Sequence, residues 1–353
     1  MTGDSKTPQD ERADPGEPPH TFFVAMGVMI AALGLGELYF RGSPLDESIE
    51  KAREVTMKTT AYRHVGGDIV VTGDSRTFHA VVPSVMNGTL HELTGGTFTT
   101  FNFGSPAATP PVFLMAAHEA TRHPHKPRVF VIGLSPVHMS FGDTIEIANV
   151  SPLVKWSNVP LLVGTTFWYS PEEAAGSIAY ASSRLLSQRV DVLIGVRDLK
   201  LIGPAVGTFE DNHGWISLGG RTTAAVQDVR ARGRAVGYGD LMDKSKGHKP
   251  LPLAQHYLEV AVRILHAAGI RAVIMGTPQA RQLDVNHDAG HNYFEYLAMV
   301  KEVSERTGAP FADFNDFPGL ENLDFTDGDH LTEGGAIKFT RLLATTVVAP
   351  LLR

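Results

Sequence analysis

The run DIVVTGDSRT, residues 68–77, decides the fold. Its first five residues are mostly β-branched and make a short strand, Gly73 breaks the run, and Ser75 stands where a helix should begin. The pattern recurs downstream. Runs at 97–103 (TFTTFNF), 128–132 (RVFVI), 271–275 (RAVIM) and 310–314 (PFADF) have the length and composition of strands. Helical stretches at 111–122, 253–268, 293–307 and about 333–347 follow or separate them. Parallel neighbours need a crossover long enough to hold a helix, so this alternation calls for a parallel sheet. The expected fold is α/β, with three layers (α/β/α) around a central, mostly parallel five-stranded sheet.

Outward from this core the chain changes character twice. Residues 136–250 fit the rhythm badly: one helix signal, 171–188, stands among Gly, Pro and Asn residues, and the stretch reads as an insertion in a domain spanning 66–353. At the other end, residues 1–20 are rich in Asp, Glu, Pro and Gly and cannot repay the entropy of ordering, so they read as a disordered tail. Residues 21–40, TFFVAMGVMIAALGLGELYF, are apolar apart from Glu37. At about 1.5 Å per residue, such a helix matches a hydrocarbon core of about 30 Å. One membrane span is expected there, uncleaved because no small-x-small site follows, with 41–65 as a linker or helix. Lys6 and Arg12 precede the span and Arg41, Lys51, Arg53, Lys58 and Arg63 follow it, a balance that by itself favours a cytoplasmic main domain.

Composition excludes some functions. The chain has 353 residues, 43% of them hydrophobic, enough for a substantial core. Against 31 Lys and Arg stand 38 Asp and Glu, a formal charge of -7, which is the wrong sign for gripping phosphate backbones. Nucleic acid is not an expected partner. Cysteine is absent, so thiolate nucleophiles, disulfides and cysteine-ligated zinc are excluded.

In open parallel sheets, function gathers at the carboxyl ends of the strands. The first run ends in Gly73-Asp74-Ser75-Arg76-Thr77, where a serine entering a helix can expose its hydroxyl and aim its own N–H into a site. A helix N-cap is the plainer reading of the same residues. The second run ends at Asn102-Phe103-Gly104, where a glycine lets backbone approach a substrate oxygen. Near the carboxyl terminus Asp327-Gly328-Asp329-His330-Leu331-Thr332 precedes the last helix. Asp and His three apart can set a carboxylate on one imidazole nitrogen while the other faces a nucleophile.

This order of blocks resembles the SGNH (GDSL-like) hydrolase superfamily over roughly residues 66–350, apart from the insertion. The resemblance implies a sheet of the SGNH or flavodoxin-like kind and a catalytic triad of Ser75, Asp327 and His330; no cofactor or metal is expected. It also implies an oxyanion hole formed by the Ser75 N–H, the Gly104 N–H and a third donor after the third strand. Ser135 stands where the family has Asn, so a hydroxyl takes the place of the amide donor, and a lost oxyanion donor costs on the order of 3 kcal/mol of barrier. The leading span, the GDSR-type block and the DHL-type block are more similar to the membrane-anchored branch, the DltD-like and alginate-acetylation proteins. That branch implies a single-pass cell-membrane protein with its catalytic domain outside the cytoplasm. It further implies an acyl-ester or carbohydrate substrate and, for a transferase, a membrane protein as acyl donor.

Other signals are weaker. Arg76 beside the nucleophile and Trp215 in Asp211-Asn212-His213-Gly214-Trp215 are candidate substrate contacts, the latter a stacking face for a sugar. His118, Glu119, His123 and His125 miss the four-residue spacing of a helical metal motif. Asp284, Asn286, His287, Asp288 and His291 read as a polar loop. Three functions are therefore weighed: an anchored serine esterase or O-acyltransferase, a non-catalytic envelope scaffold or polymer-binding protein with a degraded site, and a metal-dependent hydrolase using the histidine clusters.

Overall fold

The computed structural model describes residues 54–105, 108–136, 139, 154–182, 205–215, 252–280, 290–315, 319–327 and 329–353, with residues 24, 27–31, 34 and 35 near the amino terminus. Five strands form one sheet: β1 (Ile69–Thr72), β2 (Thr100–Asn102), β3 (Val129–Leu134), β4 (Arg271–Gly276) and β5 (Phe311–Asp313). All neighbours are parallel, in the order β2-β1-β3-β4-β5. The expected strands are all present, and the sheet is wholly parallel rather than mostly so. The first strand lies between the second and third, with Val70 opposite both Phe101 and Phe130. Chain direction across the sheet therefore reverses at β1, which opens a crevice at the carboxyl ends of β1 and β3.

Strand side chains are buried on both faces, as parallel sheets require. Val70, Phe101, Phe130, Ile132 and Ile274 face one apolar cluster, and Ile69, Val71, Val131, Val273 and Met275 face the other. The first cluster is covered by α1 (Glu54–Val65), α4 (Pro110–Arg122), α8 (Pro252–Ala267) and α9 (Gly290–Thr307). The second lies under α3 (Pro83–Thr94) and α10 (Glu333–Leu343), with the short α2 (Ser75–Ala80) between β1 and α3.

Two expectations are corrected here. The insertion holds more helix than its composition suggested: α5 (Val159–Thr166) and α7 (Ala205–Asp211) accompany α6 (Pro171–Ser182). Val159, Leu162 and Phe209 are buried in the first cluster, and that burial overrides the helix-breaking signal of Gly164. The closing helix also runs on past α10, through a wider π segment (Ala344–Val348) into a final turn (Ala349–Leu352). From Glu333 to Leu352 it is long and apolar enough to cross a membrane, yet Phe339, Leu343, Ala344 and Val348 bury it on the sheet. The span expected at 21–40 lies largely outside the described residues. Those described within it are helical, and Val24, Val28, Met29, Ile30 and Leu35 are exposed.

Candidate active site

The turn from β1 into α2 sets the serine. Asp74 is the N-cap, its Oδ1 accepting from the Arg76 and Thr77 N–H groups at 2.9 and 3.3 Å. Gly73 has no side chain because Thr77 and the Gly133 carbonyl fill the space: an added Cβ would sit 2.7 Å from that oxygen. Packing this close seats α2 on the sheet with Ser75 as its first residue. The Ser75 N–H, in the first turn, has no acceptor among the described residues.

The histidine arrives from the far end of the chain. Thr326 N–H and Oγ1 donate to the His330 carbonyl at 2.7 and 2.8 Å, and Phe325 bridges to Leu331, so the loop doubles back on itself. Thr332 caps α10 through Gly335 N–H, and Gly335 admits the Asp324 carbonyl where a Cβ would meet it at 2.2 Å. Finally Thr340, on α10, donates to the Ala80 carbonyl at 3.0 Å and accepts from Val82 N–H at 2.9 Å. Those two bonds lock α10 to α2 and so bring His330 to Ser75.

The imidazole joins both ends of a hydrogen-bonded line. His330 Nε2 lies 2.8 Å from Ser75 Oγ. On the other side Nδ1 lies 3.1 and 3.0 Å from the Asp327 carboxylate oxygens, and Asp327 Oδ1 also accepts the His330 backbone N–H at 3.0 Å. Asp329 Oδ1 stands 3.0 Å from the same Nδ1. With carboxylates at Nδ1, the neutral ring carries its proton there and leaves Nε2 to accept from Ser75. Burial disfavours the imidazolium, but hydrogen bonds and negative charge from Asp327 and Asp329 outweigh it, pushing His330 up from 6.5 to about 9. Ser75, Asp327 and His330, named from the sequence, are thus brought together.

The other expected contacts are placed differently. Gly104 N–H donates to Asn102 Oδ1 at 2.9 Å, and the Gly104 carbonyl accepts from the Lys58 ammonium. Ser135 is fully buried, and its hydroxyl donates to Asp74 Oδ2 at 2.9 Å. A hydroxyl has one proton, so Ser135 braces the N-cap rather than facing a substrate oxygen. Of the expected oxyanion donors, the Ser75 N–H alone has no acceptor among the described residues. Arg76 is 2% exposed and pairs with Asp329 at 3.5 Å, so it is not a surface contact for substrate. Trp215 packs, partly buried, on the second apolar cluster.

Asn102 escaped the sequence reading. Fully buried, it donates through Nδ2 to the carbonyls of Thr77, Phe78 and Val81, closing the carboxyl end of α2. A polar residue ending an apolar strand run was the signal that could have found it.

Metal-type residues mostly stay apart. His123 packs on Tyr62, and His125 Nε2 pairs with Asp68 at 3.0 Å. Asp284, Asn286, His287 and Asp288 lie outside the described residues, as does the His291 side chain. Among the described residues, ligand-type atoms converge at Asp327, Asp329 and His330, within 4.8 Å of one another.

The fold and site thus define an α/β protein with a serine–histidine–carboxylate line at the carboxyl edge of its parallel sheet. No family model matches the chain, and no curated protein matches it either.

Proposed function

We propose that this protein is a serine esterase or O-acyltransferase of the SGNH kind that works through a covalent acyl-enzyme. The observation that carries the reading is the unbroken line from Ser75 Oγ through His330 to Asp327, with its 2.8 and 3.0 Å links. Neutral His330 takes the Ser75 proton at Nε2 while Oγ bonds to the ester carbonyl carbon, and the resulting oxyanion meets the Ser75 N–H. His330 then returns that proton to the departing alcohol. Water, or the hydroxyl of an acceptor, repeats the sequence against the acyl-serine and releases Ser75. Asp327 holds the ring in the required tautomer throughout.

Membrane attachment through residues 21–40, an extracytoplasmic catalytic domain and a cell-envelope carbohydrate ester as substrate belong to the same proposal. Its support is the apolar, helical and exposed character of the residues described in that segment and the resemblance of the serine and histidine blocks. Fluorophosphonate labelling mapped by mass spectrometry tests the chemistry. Ser75 should carry the label, and Ser75→Ala and His330→Ala should each abolish labelling and aryl acetate turnover while leaving the fold intact. Full activity in both variants would refute the assignment.

A second reading is favoured by one observation: the Gly104 and Ser135 donors are both engaged internally. On that reading the chain is an envelope scaffold with a degraded site. Labelling of Ser75 without turnover of any ester, aryl or polymeric, would select it.

A further inference from the structure

The aspartate beside the histidine has a place in the site that the triad does not require. Asp329 is 3% exposed, its Oδ1 is 3.0 Å from His330 Nδ1, and its Oδ2 is 3.5 Å from the Arg76 guanidinium, itself 2% exposed. A carboxylate this buried needs compensation to stay ionised, and the Arg76 guanidinium supplies a fixed positive charge. Arg76 follows the nucleophile directly and Asp329 precedes the base directly. The pair therefore ties the two catalytic segments together through their neighbours in sequence.

We propose that Asp329, held by Arg76, is a second positioning carboxylate for His330, so that the imidazole keeps its tautomer and its aim at Ser75 with either Asp327 or Asp329 present. The inference rests on the triad reading and deepens it. The two carboxylates at Nδ1 differ: Asp327 is partly exposed and hydrogen-bonded to both the ring and the backbone N–H of His330, whereas Asp329 is sealed against Arg76, its Oδ1 a negative charge 3.0 Å from Nδ1 outside hydrogen-bond geometry. Among the described residues, the groups facing the ring include these two carboxylates, the Ser75 hydroxyl and His79, whose ring stands edge-on at 5.7 Å. Each carboxylate removed should lower the basicity of His330, which a purely structural residue would not do.

The test compares Asp327→Asn, Asp329→Asn and the double variant in the full chain in detergent. Two readouts are taken: the pH profile of fluorophosphonate labelling, and NMR titration of the His330 imidazole, identified by its absence in His330→Gln. Losing the orienting carboxylate of a triad costs on the order of 10⁴ in rate when no substitute exists. On the high-pH plateau, where His330 is neutral in every protein compared, each single variant should lose about 10- to 100-fold in labelling rate, and the double variant on the order of 10⁴. The His330 titration should move down in each single variant and furthest in the double. Arg76→Lys should keep much of the Asp329 effect, and Arg76→Met should mimic Asp329→Asn.

The inference is overturned if Asp327→Asn alone gives the full loss, or if Asp329→Asn leaves the titration where it was. Because NMR needs no turnover, an inactive protein whose His330 titration moves as described would sink the catalytic reading and leave the two-carboxylate arrangement standing. A misfolded Asp329→Asn variant, seen in its NMR spectrum, is replaced by Asp329→Glu, which should keep the raised titration if the carboxylate rather than the shape matters.

Discussion

Between pH 6.5 and about 9 the protein is expected to become more reactive and less stable, because one imidazole governs both properties. At about 1.4 kcal/mol per tenfold change, raising His330 from 6.5 to about 9 represents roughly 3 kcal/mol of preference for the imidazolium in the folded state. The folded-state value lies above the unfolded one, so this stabilisation is fully present below pH 6.5 and is lost as the pH passes through about 9. Catalysis needs the other form. At pH 7 about one molecule in a hundred would hold a neutral His330, so reactivity should climb about tenfold per pH unit and level off near pH 9. Second-order fluorophosphonate labelling rates measure the first trend without interference from spontaneous ester hydrolysis. For the second, melting temperatures of the wild type and His330→Gln are compared across the same range, since their difference isolates this residue. The advantage owed to His330 should shrink by several degrees, given about 2–4 °C per kcal/mol in domains of 150–250 residues. A labelling rate already flat from pH 6.5 upward would show that the two carboxylates do not hold the proton, and the reasoning would fail.

Further predictions address the supporting residues. Ser135→Ala removes a donor from a buried carboxylate, so it should cost about 1–3 kcal/mol of stability in denaturant titration. Its labelling rate should fall less than tenfold, far below the 10²–10³ loss of a true oxyanion donor. Asp74→Ala strips the cap from α2 and leaves Ser135 and two backbone N–H groups without their acceptor; a loss of at least about 2 kcal/mol is expected, together with loss of labelling. Phe339→Ala opens a cavity under α10, and about 3–5 kcal/mol should disappear from the unfolding free energy. Chelator treatment should leave labelling unchanged; sensitivity to chelator with indifference to Ser75→Ala would instead point to a cation held by Asp327, Asp329 and His330. Deleting residues 1–53 should move the protein from the membrane fraction to the soluble one, and retention at the membrane would refute the proposed anchor.

Much of this protein could be read from local sequence. Strand runs such as DIVVT and RVFVI, and the helical stretches between them, follow from side-chain shape and periodicity over a few residues, and the sheet forms where they lie. Ser75, Asp327 and His330 were named because the order of their blocks resembles that of a known superfamily; turn chemistry by itself left the serine block as a helix N-cap. The insertion was harder: the helicity of VPLLVGTT depends on burying Val159 and Leu162 against distant helices, and no local rule weighs that.

What only the tertiary structure decided is the choice of partner for each buried polar group. Ser135 could have faced a substrate, yet it donates to Asp74, 61 residues earlier. Arg76 reads as a surface cation, and it is enclosed with Asp329. The Gly104 N–H turns to Asn102 rather than outward. Burial makes an unsatisfied polar group costly, so each takes whichever partner the packed segments bring within reach. That meeting depends on the whole fold and leaves no periodic trace in the chain.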